Sequence, residues 1–200
     1  MGGGDLQITA VENNPMIAEA YKKLFPNDEV IIGDALQYLE NNFMNFDFIW
    51  ASPVCVSHSD FRRMWAEAKR YAPIIPDMSL YGIIIFLRQY FKGLFCVENV
   101  KPYYKALIAP SAIIGRHYFW TNFFIGSLPF ETNVKIRDIE MEFVRNHETF
   151  SVVADLKGIN KRQVLKNCVD SEIGKYILEC AMKKFTAVRV KTPLFEMGVD

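Results

Sequence analysis

The stretch Phe46-Asp47-Phe48-Ile49-Trp50-Ala51-Ser52-Pro53-Val54-Cys55-Val56-Ser57-His58-Ser59 decides the reading of the fold. It opens on a short run of aromatic and branched residues flanked by loop formers, the pattern of a buried strand. Ser52 and Pro53 stop that strand, so Cys55 falls just past its carboxyl end, where open α/β sheets hold their ligands. Further on, Leu94 to Val97 reads as a second apolar strand, ending in Glu98-Asn99-Val100. One strand end offers a sulfur nucleophile and the other a carboxyl acid.

Upstream, Leu6 to Val11 reads as a strand ending at Glu12. Asn14 caps a helix with Pro15 at its first position. Val30 to Ile32 is a short strand followed by Gly33-Asp34, and Ala35 to Asn42 a helix with Leu36 and Leu39 turned inward. Downstream, Phe61 to Tyr71 is a charged helix. Asp77 to Phe91 is a helix with Leu80, Ile84, Leu87 and Phe91 on one face. Lys101 to Pro110 is a loop, Tyr118 to Phe124 is β-prone, and Lys161 to Lys166 and Ser171 to Lys184 are helical. Strands alternating with helices predict an α/β fold with a mostly parallel sheet and helices on both faces.

The chain has 200 residues, half of them hydrophobic, which suits one domain spanning 1–200 with a real core. Lys plus Arg and Asp plus Glu number 23 each, so charge alone points to no nucleic-acid partner; that would need a local basic face. Cys55, Cys96, Cys168 and Cys180 form no CxxC pair, which argues against zinc and for a reducing compartment. The apolar run Gly82 to Leu87 is too short to span a bilayer. Residues 1–5 show neither a basic nor an apolar signal region, so a cytoplasmic location is expected.

Taken together, these motifs resemble the DNA cytosine-5 methyltransferases, most closely the short phage and prophage forms. Ser52-Pro53-Val54-Cys55 looks like the family's Pro-Pro-Cys nucleophile loop, and Glu98-Asn99-Val100 like its Glu-Asn-Val motif. Ile8-Thr9-Ala10-Val11-Glu12 is similar to the strand whose terminal acid holds the cofactor ribose, and Gly33-Asp34-Ala35 to the acidic turn beside the adenine. Arg116-His117-Tyr118-Phe119 resembles the arginine strand start. Asn167-Cys168-Val169 followed by Glu172 resembles the late motif at the cofactor pocket. Order and spacing, over roughly Ile8 to Ala181, make the match specific.

The resemblance implies a Rossmann-like fold that binds S-adenosyl-L-methionine and methylates carbon 5 of cytosine in double-stranded DNA. Cys55 would add to carbon 6, and Glu98 would share a proton with N3, which needs a carboxyl pKa raised by burial. A free thiol has a pKa of ~8.5, and the following helix N-terminus would help Cys55 ionise. Asn99 and Arg116 join the catalytic set. Glu12, Asn13, Asp34, Ala35, Ser52, Pro53, Asn167 and Val169 would line the cofactor. Ser57 and Ser59 would meet DNA, with the target base flipped out of the stack. Arg62, Arg63, Lys69 and Arg70 cluster just after this loop, and the cluster reads equally as a solvated helix face or as phosphate contacts. No metal is expected, and a monomer is.

The sequence also departs from the family pattern. The family begins with a strand, a Gly-rich loop and a helix, whereas only Asp5, Leu6 and Gln7 separate Gly4 from Ile8, so the first strand and helix are expected to be missing. Val54 replaces the second proline, and Tyr118 stands where an arginine is expected. Residues 126–156 leave room for a small insert in place of a target-recognition domain. Taken singly, Glu12 and Asp34 also suit helix caps. His58 reads as a local hydrogen-bonding residue, and His117 shows no partner. Two rival functions stand beside the first: a catalytically impaired remnant or DNA-binding subunit of the same fold, and an RNA cytosine-5 methyltransferase.

Overall fold

A computed structural model of the chain describes residues 6–126 and 171–190, the last helix with side chains over 172–183. The chain divides into two compact units, the first holding residues up to Asn45 and the second opening at Phe46.

In the first unit, β1 (Thr9–Glu12) and β2 (Glu29–Ile32) pair in parallel, from Thr9↔Glu29 to Glu12↔Ile32. The crossover is α1 (Pro15–Leu24), which buries Ala18 and Ala20. Its start follows the sequence: the Asn14 side chain accepts from the Met16 N–H at 3.0 Å, and Pro15 takes the first turn, where no N–H is needed. Lys22 and Lys23 sit in the last turn, complementing the helix dipole. α2 (Ala35–Asn42) is capped by Asp34, which accepts from the Gln37 N–H at 2.8 Å. Leu36 does not turn inward as expected: it is 40% exposed, because this short helix buries none of its residues.

The second unit holds β3 (Phe48–Ala51), α3 (Asp60–Glu67), α4 (Ser79–Tyr90), β4 (Leu94–Val100), β5 (Ala112–Ile114), β6 (His117–Thr121) and α5 (Ser171–Val190). Its sheet runs β3-β4-β6-β5. Only β3 and β4 are parallel; β4 with β6 and β5 with β6 are antiparallel. The expected mostly parallel sheet is therefore corrected to a mixed one. The cause is local: two residues, Gly115 and Arg116, join β5 to β6, and Gly115 takes a left-handed φ of 56°. So short a link permits a hairpin and no parallel crossover.

Helices cover both faces of this sheet. Leu80, Ile84, Leu87 and Phe91 are all buried, as their spacing predicts, and Tyr81 on α4 meets the Trp120 ring edge-on. On the other face α5 lays Ile173, Ile177 and Ala181 against Leu94, Cys96 and Phe119. Burying aliphatic side chains of this size contributes roughly 1.5–3 kcal/mol each.

Candidate active site on the mixed sheet

The loop from Ser52 to Ser59 leaves β3 and enters α3, so Cys55 sits past a strand end, as the sequence predicts. Glu98 and Asn99 do not. They lie inside β4, paired with Phe119 and Tyr118, so the strand runs three residues beyond the Val97 end expected for it. β6 reaches back as far as His117 and supplies the backbone ladder that keeps these polar residues in the strand.

Strand alternation gives the two residues different tasks. Asn99 is 1% exposed; its Nδ2 donates to the Pro53 carbonyl at 2.9 Å, and its Oδ1 accepts from the Val100 N–H. It straps the Cys55 loop to β4. Glu98, on the other face, is 5% exposed. Burial pushes its carboxyl up to about 7, against the opposing pull of a hydrogen bond from Ser52 and the charge of Arg116. Ser52 is itself held, its Oγ accepting from Trp50 Nε1 at 3.0 Å.

The half-buried Cys55 thiol is close enough to Glu98 to feel its charge. Burial and that carboxylate raise its pKa, while its backbone surroundings and Arg116 oppose the rise. The expected net activation of the thiol is therefore absent: desolvation and a neighbouring negative charge outweigh the turn and the guanidinium. Arg116 stands immediately before β6, and its charge acts on Cys55, Glu98 and His117 alike.

His117 belongs to this group and was not read from sequence. It is buried, with Nε2 3.6 Å from Glu98 Oε1, and burial pushes its pKa down to about 4, so the ring is neutral and the contact is not an ion pair. The signal for it is the register: Val100↔His117 and Glu98↔Phe119 put His117 diagonally across from Glu98 on one face.

The residues expected to meet DNA are placed unequally. Ser57 is buried, its Oγ accepting from the Asp77 N–H at 2.9 Å, so its hydroxyl points into the protein. Ser59 precedes α3 and bridges Pro102. Arg62 lies 4.4 Å over the Tyr71 ring and donates to the Ala72 carbonyl. Arg63 is already paired, with Asp60 at 2.7 Å and Glu67 at 2.6 Å, both exposed contacts worth little to stability.

Of the expected cofactor residues, Glu12, Asn13, Asp34 and Ala35 lie at the carboxyl ends of β1 and β2 in the first unit. Those ends are laced together by the Gly33 N–H donating to the Glu12 carbonyl at 3.1 Å. Glu12 Oε1 accepts from the Asn14 N–H at 2.7 Å, and Asp34 uses Oδ1 in its cap, which leaves each carboxylate a second oxygen. Two such acceptors suit a ribose diol and an exocyclic amine. Asn167, Val169 and residues 127–156 lie outside the described residues. Among the described residues, no His, Cys, Asp and Glu cluster could hold a metal, and no helix is long and apolar enough to cross a membrane.

No protein-family model, curated protein or solved structure matches the chain.

Proposed function

We propose that this chain methylates carbon 5 of cytosine in double-stranded DNA, on a Rossmann-like fold that binds S-adenosylmethionine. The observation that carries the reading is the pair Cys55 and Glu98: a thiol on the loop that leaves β3 and a carboxyl inside the adjacent parallel strand β4, electrostatically coupled, the carboxyl buried and half-protonated near neutral pH. A proton-sharing acid beside a sulfur nucleophile is what addition to an electron-poor pyrimidine requires.

Glu12 and Asp34 would hold the adenosine end of the cofactor through their second carboxylate oxygens. When bound, the cofactor supplies the electrophilic methyl group that carbon 5 accepts. The chain's own residues do the rest. Thiol plus carboxylate carries the same number of protons as thiolate plus carboxylic acid, so Glu98 is the natural holder of the proton Cys55 gives up. The thiolate then forms a bond to carbon 6 as Glu98 passes that proton to N3, leaving carbon 5 nucleophilic. After carbon 5 is methylated and loses its proton to a base, the sulfur–carbon bond breaks, the ring double bond returns, and N3 gives its proton back to Glu98. Arg116 favours both anionic forms, Cys55 thiolate and Glu98 carboxylate.

The test is methyl incorporation from labelled S-adenosylmethionine into duplex DNA and into tRNA, with the product nucleoside identified by mass spectrometry. 5-Methylcytosine in DNA is expected. Greater incorporation into tRNA moves the substrate to RNA. The second reading, a catalytically impaired DNA-binding protein of the same fold, is favoured by the raised thiol pKa. It predicts DNA retention with no methylated product.

A further inference from the structure

Three residues beyond Cys55, His58 is completely buried, with the Asp77 backbone hydrogen-bonding the ring. Its Nδ1 lies 2.6 Å from Tyr104 Oη. Tyr104 in turn hydrogen-bonds Tyr81 of α4, whose oxygen accepts from the Leu107 N–H at 3.2 Å. The Tyr81 ring meets the imidazole edge-on. The backbone on either side of His58 holds the nucleophile loop: the His58 and Ser59 N–H groups both donate to the Cys55 carbonyl, at 3.0 and 3.1 Å, and the His58 carbonyl accepts from the Tyr103 N–H at 3.1 Å.

We propose that the His58–Tyr104–Tyr81 chain is a latch that fixes the Cys55 loop, making His58 and Tyr104 positioning residues for the nucleophile. The role assigned to the nucleophile rests on the methyl-transfer reading; the latch itself does not. The anchored imidazole fixes the residue whose amide grips Cys55, alongside the Asn99–Pro53 and Ser57–Asp77 contacts of the same loop. Asp77 is the charged group beside the ring, and Glu98 and Arg116 are those beside the thiol.

Freed from the latch, the thiol swings from Glu98 toward water and its ionisation returns toward that of an ordinary cysteine. Iodoacetamide alkylation of the full chain, followed across pH by peptide mass spectrometry, reads this out, with half-buried Cys180 as internal reference. Tyr104→Phe removes one oxygen and keeps the shape. It should lower the pH midpoint for Cys55 and raise its rate near neutral pH about tenfold per unit of pKa lost, with Cys180 unmoved. His58→Leu should do the same, and His58→Asn, whose amide reaches the place of Nδ1, should restore the native profile. An unchanged Cys55 profile in folded Tyr104→Phe and His58→Leu overturns the latch, as does a parallel change at Cys180, which signals general loosening. In turnover, Tyr104→Phe should lower kcat with KM unchanged. If no variant and no native protein turns over, the methyl-transfer reading fails while the alkylation result still decides the latch.

Discussion

His117 Nε2 lies 3.6 Å from Glu98 Oε1 with both side chains buried, and burial moves their two pKa values in opposite directions. The carboxyl rises from 4.5 to about 7, and the imidazole falls from 6.5 to about 4. Each is kept neutral where water would charge it.

The two shifts oppose each other in stability. Folded Glu98 binds more protons than unfolded between pH 4.5 and about 7, so its contribution is complete below 4.5 and lost as pH rises to about 7. His117 is the reverse: its contribution is complete above 6.5 and lost as pH falls to about 4. Over the shared range the slopes, each up to about 1.4 kcal/mol per pH unit, offset. Glu98→Gln should therefore gain on the native protein as pH rises from 4.5 to about 7, and His117→Asn should gain as pH falls from 6.5 to about 4. Urea denaturation across pH checks both. Flat difference curves would contradict the two shifts.

Glu98→Gln should cost about 10²–10⁴ in methyl-transfer rate, the usual worth of a positioned acid, with duplex binding retained. If, as proposed, the productive state places the thiol's proton on Glu98, the native rate should rise as pH passes about 7 and hold until the thiol itself titrates. Single-turnover rates across pH test this. An inflection near 7 that survives in Glu98→Gln belongs to another group.

Gly93 carries the turn from α4 into β4. A Cβ there would meet the Asp47 carbonyl oxygen at 2.4 Å, and that oxygen already accepts from the Leu94 N–H at 2.9 Å. Backbone must shift at the first residues of the β3/β4 pairing, so Gly93→Ala should destabilise the fold by about 1–3 kcal/mol. An unchanged denaturant midpoint would show that the turn yields freely.

Asn99→Ala removes the strap to the Pro53 carbonyl. Losing this part-buried hydrogen bond costs about 0.5–1.5 kcal/mol, and the Cys55 loop should loosen with it. Faster amide exchange at Val54 and Cys55 is the expected signature; native protection there would assign the loop's order to other contacts.

What the sequence shows depends on how local the cause is. α1, α2 and α4 are legible because Asn14, Pro15, Asp34 and the Leu80-to-Phe91 stripe act within a few residues of themselves. Cys55 past a strand end is legible for the same reason. The buried continuation of β4 through Glu98-Asn99 is not, since polar residues read as a strand end until β6 is known to pair with them. The β5/β6 hairpin hides in a tight turn at Gly115, and His117 becomes a neighbour of Glu98 only through antiparallel register. Ser57 reads as a DNA contact and His58 as a local hydrogen-bonding residue, but Asp77 and Tyr104, distant in sequence, draw both inside.

The most direct measurement is covalent trapping. A duplex carrying 5-fluorocytosine at the target, incubated with the protein and S-adenosylmethionine, should yield an adduct that peptide mass spectrometry maps to Cys55 and that Cys55→Ser abolishes while still binding DNA. Duplex and cofactor both bound to the native protein, with no mass added at Cys55, would contradict the assignment of that thiol and Glu98 to a single pyrimidine.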